Sequence, residues 1–242
     1  MPDLGITATS LAKSFRRKRA VQGVEIRLSR HEVVGLLGPN GAGKTTCFYL
    51  IAGLLSPDSG KIFMDGRDVT HLPMYRRARL GLGYLPQESS VFLNMSVENN
   101  IMAILEFSVR NESERRRRLD ELLSEFSIDK IRRSQGGTLS GGERRRVEIA
   151  RCLASSPRYI LLDEPFAGID PISVDDMRQL VKHLKDSGVG ILITDHNERA
   201  TLNIVDRAYV MHDGKILAEG TPDEIISNDD VKRLYLGTEY ES

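Results

Sequence analysis

The sequence contains no tryptophan, only two cysteines, and no excess of charge of either sign. Lys plus Arg and Asp plus Glu both number 34, so no net field favours nucleic acid or anionic lipid. Cys47 and Cys152 lie far apart without metal-ligand spacing, which predicts free buried thiols and a reducing compartment. No apolar run reaches the roughly 18 residues of a membrane span, and the first residues lack a signal pattern. We expect a protein that is cytosolic or held at a membrane by a partner, with no nucleic-acid ligand.

The apolar pattern predicts one large α/β domain in these 242 residues. Nearly continuous apolar runs at Val33–Leu37, 159–162 and Gly190–Thr194 are typical of strands buried on both faces of a parallel sheet. Further strands are predicted at 21–28, 60–64, Leu82–Leu85 and 208–211, and the strands near the N-terminus suit an antiparallel lobe. The predicted divisions are a sheet core with an N-terminal β lobe (1–90 and 158–220), a helical subdomain (91–157) and a helical tail (221–242).

Residues 38–45 read G-P-N-G-A-G-K-T and fit the phosphate-loop pattern G-x-x-x-x-G-K-[ST]. The loop follows a predicted buried strand and opens a predicted helix, Lys44–Ala52, whose first N–H groups can face phosphates. Lys44 adds a positive charge for the β- and γ-phosphates of ATP, and the Thr45 hydroxyl suits Mg²⁺. The candidate nucleotide-binding residues of this loop are Gly38, Pro39, Asn40, Gly41, Ala42, Gly43, Lys44, Thr45 and Thr46.

Polar side chains also follow other predicted strands, at the ends where parallel sheets bind ligands. Asp163 is predicted to hold Mg²⁺, and Glu164 can act as general base toward a water in line with the γ-phosphate. His196 is a candidate γ-phosphate contact, and Gln87 offers an amide oxygen to Mg²⁺ or to that water. For each of these residues the alternative is an ordinary solvated or structural side chain.

A second glycine-rich turn at 139–143 reads L-S-G-G-E and precedes an amphipathic helix. Ser140 is a candidate helix N-cap, while Gly141 and Gly142 expose backbone donors. Two anion-binding turns in one chain predict a nucleotide held from both sides. Phe15, placed ahead of the predicted 21–28 strand, could stack on the base, although a phenylalanine is more often part of a core.

The order of these motifs resembles that of the nucleotide-binding subunits of ATP-binding-cassette (ABC) transporters, across essentially the whole chain. The resemblance implies a P-loop NTPase fold, with a RecA-like core, an antiparallel β subdomain and an inserted helical subdomain. It also implies ATP hydrolysis and a homodimer that holds two ATP molecules, each with Mg²⁺. Each ATP would lie between residues 38–45 of one copy and Ser140, Gly141 and Gly142 of the other, with Asp170 at the contact between copies.

Longer strings, such as 83–88, 139–151, 161–168 and 192–197, resemble more narrowly the ATP-binding subunits of lipopolysaccharide export systems. This implies an ATPase at the cytoplasmic face of the inner membrane that powers lipopolysaccharide extraction. In the family, integral membrane subunits dock a short helix near residues 87–97, and the apolar candidates here are Tyr84, Val91, Phe92, Leu93, Met95 and Val97. Two departures from the resemblance are Arg30-His31-Glu32 for the usual Gly-Glu and Phe92-Leu93-Asn94 where a basic pair follows the Phe.

Two alternatives stay open at this point. The ATPase of a branched-chain amino-acid importer shares much of this architecture, including a stretch like Gly220–Thr221–Pro222. A soluble cassette ATPase of translation or DNA repair would carry two cassettes or a long coiled-coil insertion. A GTPase is disfavoured because the sequence has no Asn-Lys-x-Asp motif.

Overall fold

The computed structural model describes residues 5–16, 18–166 and 171–237. The strands are β1 (Gly5–Phe15), β2 (Lys18–Ser29), β3 (Val33–Leu37), β4 (Ser59–Met64), β5 (Arg67–Asp68), β6 (Leu82–Leu85), β7 (Tyr159–Asp163), β8 (Gly190–Thr194), β9 (Arg207–His212) and β10 (Lys215–Gly220). The helices are α1 (Lys44–Ala52), α2 (Met74–Arg79), α3 (Val97–Ser108), α4 (Glu112–Glu125), α5 (Gly141–Leu153), α6 (Pro171–Asp186), α7 (Glu198–Leu202), α8 (Pro222–Ser227) and α9 (Asp229–Val231). Short 3₁₀ turns cover Asp129–Ile131 and Gly136–Thr138, and a π turn covers Lys232–Leu236.

The chain divides into two compact units, one formed by Met1–Leu82 with Arg158–Ser242 and the other by Gly83–Pro157. Two sheets lie mainly in the first unit, to which only Leu82 of β6 belongs. One is antiparallel with the order β2-β1-β4-β5, and the other has the order β10-β9-β3-β8-β7-β6. Within the second sheet β9, β3, β8 and β7 pair in parallel, while β10 is antiparallel to β9.

The parallel strands at the centre of the sheet are buried along their whole length. All five residues of β3, β7 and β8 are buried, and Val33 lies opposite Ile191 in the register. Continuous apolar runs are what such strands require, because helices and loops cover both faces. The predicted α/β fold with an antiparallel lobe is therefore confirmed, and the carboxyl ends of these strands carry the polar residues considered below.

The sequence pattern does not reveal β1 or β10, and both strands are irregular. Ser10 has a φ of +49°, and the register against β2 shifts after Ala8 and again after Leu11. These bulges interrupt the two-residue alternation on which strand prediction depends. Pairing of β10 with β9 contains a similar shift. Phe15 does precede the strand predicted at 21–28, which is part of β2, and it is itself the last residue of the unpredicted β1.

The second unit is mainly helical, as its sequence period predicts. Buried side chains of α4 and of the turn after it form one apolar stripe, consisting of Leu119, Leu122, Leu123 and Phe126. Side chains cap the helix starts: Ser96 caps α3, Asn111 caps α4 and Ser140 caps α5. Within the described ranges, no helix combines the length and the apolar character of a membrane span.

Candidate nucleotide-binding and catalytic site

The loop between β3 and α1 is held between the backbones of two strands of the first unit. Gly38 has a φ of +138°, and a Cβ atom there would lie 2.1 Å from the carbonyl oxygen of Met211 in β9. Gly43 has a φ of +103°, and its Cβ would lie 2.2 Å from the carbonyl oxygen of Ala20 in β2. Only glycine fits at both points, so the neighbouring strands determine the shape of the loop.

Backbone donors at the start of α1 are left for a ligand. Gly43 is the N-cap, and none of the described side chains caps this helix. Cys47 N donates to Gly43 O at 2.9 Å, which is the first bond of the helical ladder. The N–H groups before it have no acceptor within a helix, and Thr45 is exposed at the same end. A phosphate group would satisfy these donors.

Lys44 folds back onto the loop that precedes it. Its Nζ donates to Gly38 O at 2.5 Å and to Pro39 O at 3.1 Å. Burial lowers the pKa of Lys44 from its ordinary value, and three carboxylates act in the opposite direction, namely Glu164, Glu198 and Asp195. The ammonium group is thus part-buried beside the first glycine loop and within the field of acidic side chains at the same sheet edge.

Asp163, Glu164 and His196 lie at the carboxyl ends of β7 and β8. Asp163 is the last residue of β7 and is buried. Glu164 has a φ of +46°, and its N–H donates to Thr194 O at 2.7 Å. The Nδ1 atom of His196 lies 3.5 Å from Oε2 of Glu164, and both side chains are partly accessible. The structure therefore brings the predicted base and the predicted γ-phosphate contact side by side.

Asp195 belongs to the same edge, and the sequence analysis missed it. The residue is fully buried, and its Oδ2 and Oδ1 accept hydrogen bonds from Phe166 N and Asn197 N, each at 2.8 Å. Burial raises the pKa of Asp195, and these N–H groups act against that rise. The available signal was an acid directly after an apolar strand, which is the rule that identified Asp163.

Phe15 is half-exposed at the end of the β1–β2 hairpin, where it pairs with Lys18. Lys18 Nζ would lie 3.8 Å from a Cβ atom at Gly41, so this end of the hairpin is near the phosphate loop. Gln87 is exposed in the second unit. Asp170 lies outside the described residues.

The second glycine-rich turn opens α5 in the second unit. Ser140 is its N-cap, and Ser140 and Glu143 form a capping box, which confirms the predicted cap. Gly141 and Gly142 are exposed, and no atom of the described chain would lie within 4 Å of a Cβ atom at either position, apart from immediate neighbours. Among the residues that the structure describes, none lies close enough to these glycines to exclude a side chain there.

The donors at the first site have the chemistry that Mg²⁺ prefers. In the described parts of the chain no group of three or more His, Cys, Asp or Glu side chains could hold a metal by itself. Mg²⁺ is commonly bound by one or two protein oxygens together with substrate phosphates. The Thr45 hydroxyl and the Asp163 carboxylate are oxygens of this type, so they fit a magnesium ion that arrives with a nucleotide.

Comparison with known proteins agrees with this arrangement. A family model described as ABC transporter matches residues 21–167. The chain belongs to the ABC transporter family. It is accordingly an ATP-hydrolysing cassette. A second family model, described as branched-chain amino acid ATP-binding cassette transporter, matches residues 215–241.

Individual members of the ABC transporter family match nearly the full chain. A "Probable ABC transporter ATP-binding protein" of Azorhizobium caulinodans is 58% identical over 97% of this chain and 84% of its own length. The "Lipopolysaccharide export system ATP-binding protein LptB" of Acidithiobacillus ferridurans is 56% identical over 98% of both chains. Among solved structures, an ATP-binding cassette of an ABC transporter in its ADP conformation has a TM-score of 0.85 and 28% identity, covering 96% of this chain and 98% of its own.

Proposed function

We propose that this chain is the ATP-hydrolysing subunit of a transporter that extracts lipopolysaccharide from the inner membrane for export. Identity of 56% to the export-system protein extends over 98% of both chains. The branched-chain importer remains the second candidate because a model for that class matches residues 215–241. This match covers only the C-terminal stretch, and the export-system relative covers that stretch too. Lipopolysaccharide export is therefore the better-supported function.

For ATP hydrolysis, the observation that carries the proposal is the Glu164–His196 pair at the sheet edge that also carries Lys44. The loop N–H groups and Lys44 bind the β- and γ-phosphates. Glu164 takes a proton from the attacking water, and His196 contacts the γ-phosphate. Thr45, Asp163 and Gln87 are the proposed oxygen ligands of Mg²⁺, which would neutralise charge on the phosphates when bound.

A homodimer with ATP at the interface would explain the second glycine-rich turn. Gly141 and Gly142 leave open space around their Cα atoms, and the capping box uses the N–H groups of Ser140 and Glu143 but not those of the two glycines. Such a surface fits the phosphates of a nucleotide bound to another copy of the chain. Asp170 is proposed at the same contact, and Phe15 is proposed to stack on the base.

Docking of the membrane subunits is proposed at residues 87–97, the docking segment. Val91 and Val97 are buried and belong to the local core, whereas Phe92 and Leu93 are 48% and 53% exposed. The exposed pair therefore supplies the proposed apolar contact. Docking there would hold this chain at the cytoplasmic face of the inner membrane.

The docking segment is fastened to the residues just before the second glycine-rich turn. Gly136 N donates to Met95 O, and Gly137 N donates to Leu93 O, each at 2.9 Å. A Cβ atom at Gly136 would lie 2.5 Å from Val91 Cγ1, so the two segments are in close contact. A partner that moves Leu93 would thus also move the backbone that leads into Ser140.

Purification of the tagged chain from its native membrane tests the assignment of function. We expect it to co-purify with membrane subunits whose reconstituted complex releases labelled lipopolysaccharide from vesicles in an ATP-dependent way. Vesicles loaded with a branched-chain amino acid serve as the control cargo. A complex that moves the amino acid and leaves lipopolysaccharide in place would establish the importer function and contradict the proposal.

A further inference from the structure

Asp195 is a fully buried acid that stands next to His196 and outside every predicted role. Its Oδ2 accepts from Phe166 N in a separate stretch of chain, and its Oδ1 accepts from Asn197 N, two residues further along its own stretch. The first stretch follows Glu164, and the second begins α7. A single carboxylate therefore joins the segment of the predicted base to the segment of the predicted γ-phosphate contact.

The turn after β7 depends on this carboxylate for its attachment. Glu164 has a left-handed backbone conformation, with a φ of +46°, which a residue with a side chain adopts only when its surroundings enforce it. Pro165 has no N–H group, so Glu164 N and Phe166 N are the donors of this turn. The first donates to Thr194 O at 2.7 Å and the second to Asp195 Oδ2 at 2.8 Å. Both bonds fasten the turn to the end of β8.

A neutral side chain would suit this position better if packing were its only purpose. A buried carboxylate loses hydration. The charge of Asp195 also acts to raise the pKa of Lys44, whose ammonium group is predicted to bind phosphate. The ionised acid does, however, offer two acceptors and no donor. Two N–H groups that converge from different segments need such a group, and an asparagine would turn its NH₂ toward one of them.

We propose that Asp195 is a positioning residue that holds the Glu164 carboxylate beside His196 in the geometry required for attack on the γ-phosphate. The inference rests on the proposed role of Glu164 as the base. Asp195 does not contact ATP or the attacking water in this scheme, although its Oδ1 lies 3.7 Å from Nδ1 of His196. Its effect is therefore expected on turnover and not on the binding of ATP.

The Asp195→Asn variant keeps the size of the side chain and replaces one acceptor by a donor. We expect kcat to fall roughly 100-fold, as for a small misplacement of a reacting group, with the Kd and KM for ATP unchanged. Rates are taken per bound ATP, so that a smaller folded fraction does not count as lost turnover. If Asp195→Asn does not fold, Asp195→Ser keeps one acceptor and is measured in the same way.

Asp206 provides a matched control in the same unit. Its Oδ2 accepts from Val33 N at 2.9 Å and its Oδ1 from Lys185 Nζ at 2.5 Å, at the opposite end of β3 from the phosphate loop. Asp206→Asn should lower thermal stability and leave kcat per bound ATP unchanged. Equal losses of kcat in Asp195→Asn and Asp206→Asn, or a matching loss of ATP affinity in Asp195→Asn, would overturn the proposal.

Combination with Glu164→Gln separates this inference from the proposed function. If Asp195 acts through Glu164, adding Asp195→Asn to Glu164→Gln should cause no further loss of the residual hydrolysis. Near-normal turnover in Glu164→Gln alone would refute the role of Glu164 as base. Loss of turnover in Glu164→Gln with full turnover in Asp195→Asn would leave the base in place and refute the role of Asp195.

Discussion

The two glycine-rich turns of this chain are built differently, although both suit a phosphate ligand. In the first, a Cβ atom at Gly38 or Gly43 would collide with backbone carbonyl oxygens at 2.1 and 2.2 Å. In the second, Gly141 and Gly142 have open space around them in the described part of the chain. The first turn needs glycine in order to fold, and the second does not. The proposed approach of a nucleotide held by another copy of the chain would explain the glycines of the second turn.

The first prediction concerns Gly43, where the effect should be largest. Gly43→Ala places a Cβ against Ala20 O and forces a left-handed backbone on a residue that resists it. Strain and overpacking together should cost roughly 3 kcal/mol of folding free energy. Denaturant unfolding measures the loss, and ATP binding should disappear with it. An unchanged unfolding midpoint would show that the strands do not confine this loop.

Gly142→Ala is the matched change in the second turn, and its effect on stability should be neutral or stabilising. The position lies in the first turn of α5, where alanine is as good as glycine or up to about 1 kcal/mol better. ATP binding to the single chain should stay normal, while hydrolysis by the assembled dimer should fall roughly 100-fold through displacement of the ligand. Unfolding, equilibrium binding and ATPase assays of one preparation give all three values. Full ATPase activity would remove the second turn from the site.

Affinity for ATP distinguishes the turns in a third way. Lys44→Ala removes a charge-assisted phosphate contact and should weaken ATP binding to the single chain roughly 10- to 100-fold. Ser140→Ala removes the N-cap of α5 and should cost about 1 kcal/mol of stability without changing that affinity. Equilibrium binding of a labelled ATP analogue to both variants, below the concentration at which dimers form, makes the comparison. If both substitutions weakened ATP binding equally, one copy of the chain would bind ATP with both of its glycine-rich turns.

The sequence predicted strand bounds accurately where burial alone determines the pattern of residues. The bounds of β3 and β8 follow from continuous apolar runs, because burial on both faces leaves no room for polar residues. It failed for β1, since the bulge at Ser10 erases the alternation. The positions of Lys44 and Glu164 could be predicted because a loop motif and a strand end define them.

Other features of the site depend on contacts that a sequence does not record. Asp195 was missed because its importance lies in a backbone hydrogen bond from a distant segment, donated by Phe166 N. Glycine likewise occurs both where a side chain would collide and where, in the proposed dimer, an incoming nucleotide would need space. The neighbouring atoms distinguish the two cases, because a Cβ atom would collide at Gly43 and has open space at Gly142.

The docking segment of the second unit gives the last prediction, with the smallest expected effect on the chain by itself. The backbone of Phe92 is fixed by the buried Asn100, whose Oδ1 accepts from Phe92 N at 2.9 Å and whose Nδ2 donates to Phe92 O at 3.1 Å. Its ring lies 4.5 Å from the Arg151 guanidinium and remains 48% exposed. A backbone held by hydrogen bonds that presents a partly exposed aromatic ring is typical of an interface anchor.

Phe92→Asp should therefore leave folding and basal ATPase activity within about twofold of the original, since the change is at the surface. Co-purification with the membrane subunits should be lost, because an aspartate cannot enter an apolar contact without losing its hydration. Phe107 is the control, since it is 92% exposed on α3 of the same unit and lies outside the docking segment. Phe107→Asp should assemble normally. Assembly of Phe92→Asp to the level of Phe107→Asp would place the partner elsewhere. The hydrogen bonds between the docking segment and the residues before Ser140 would then not transmit movement of the partner to the second turn.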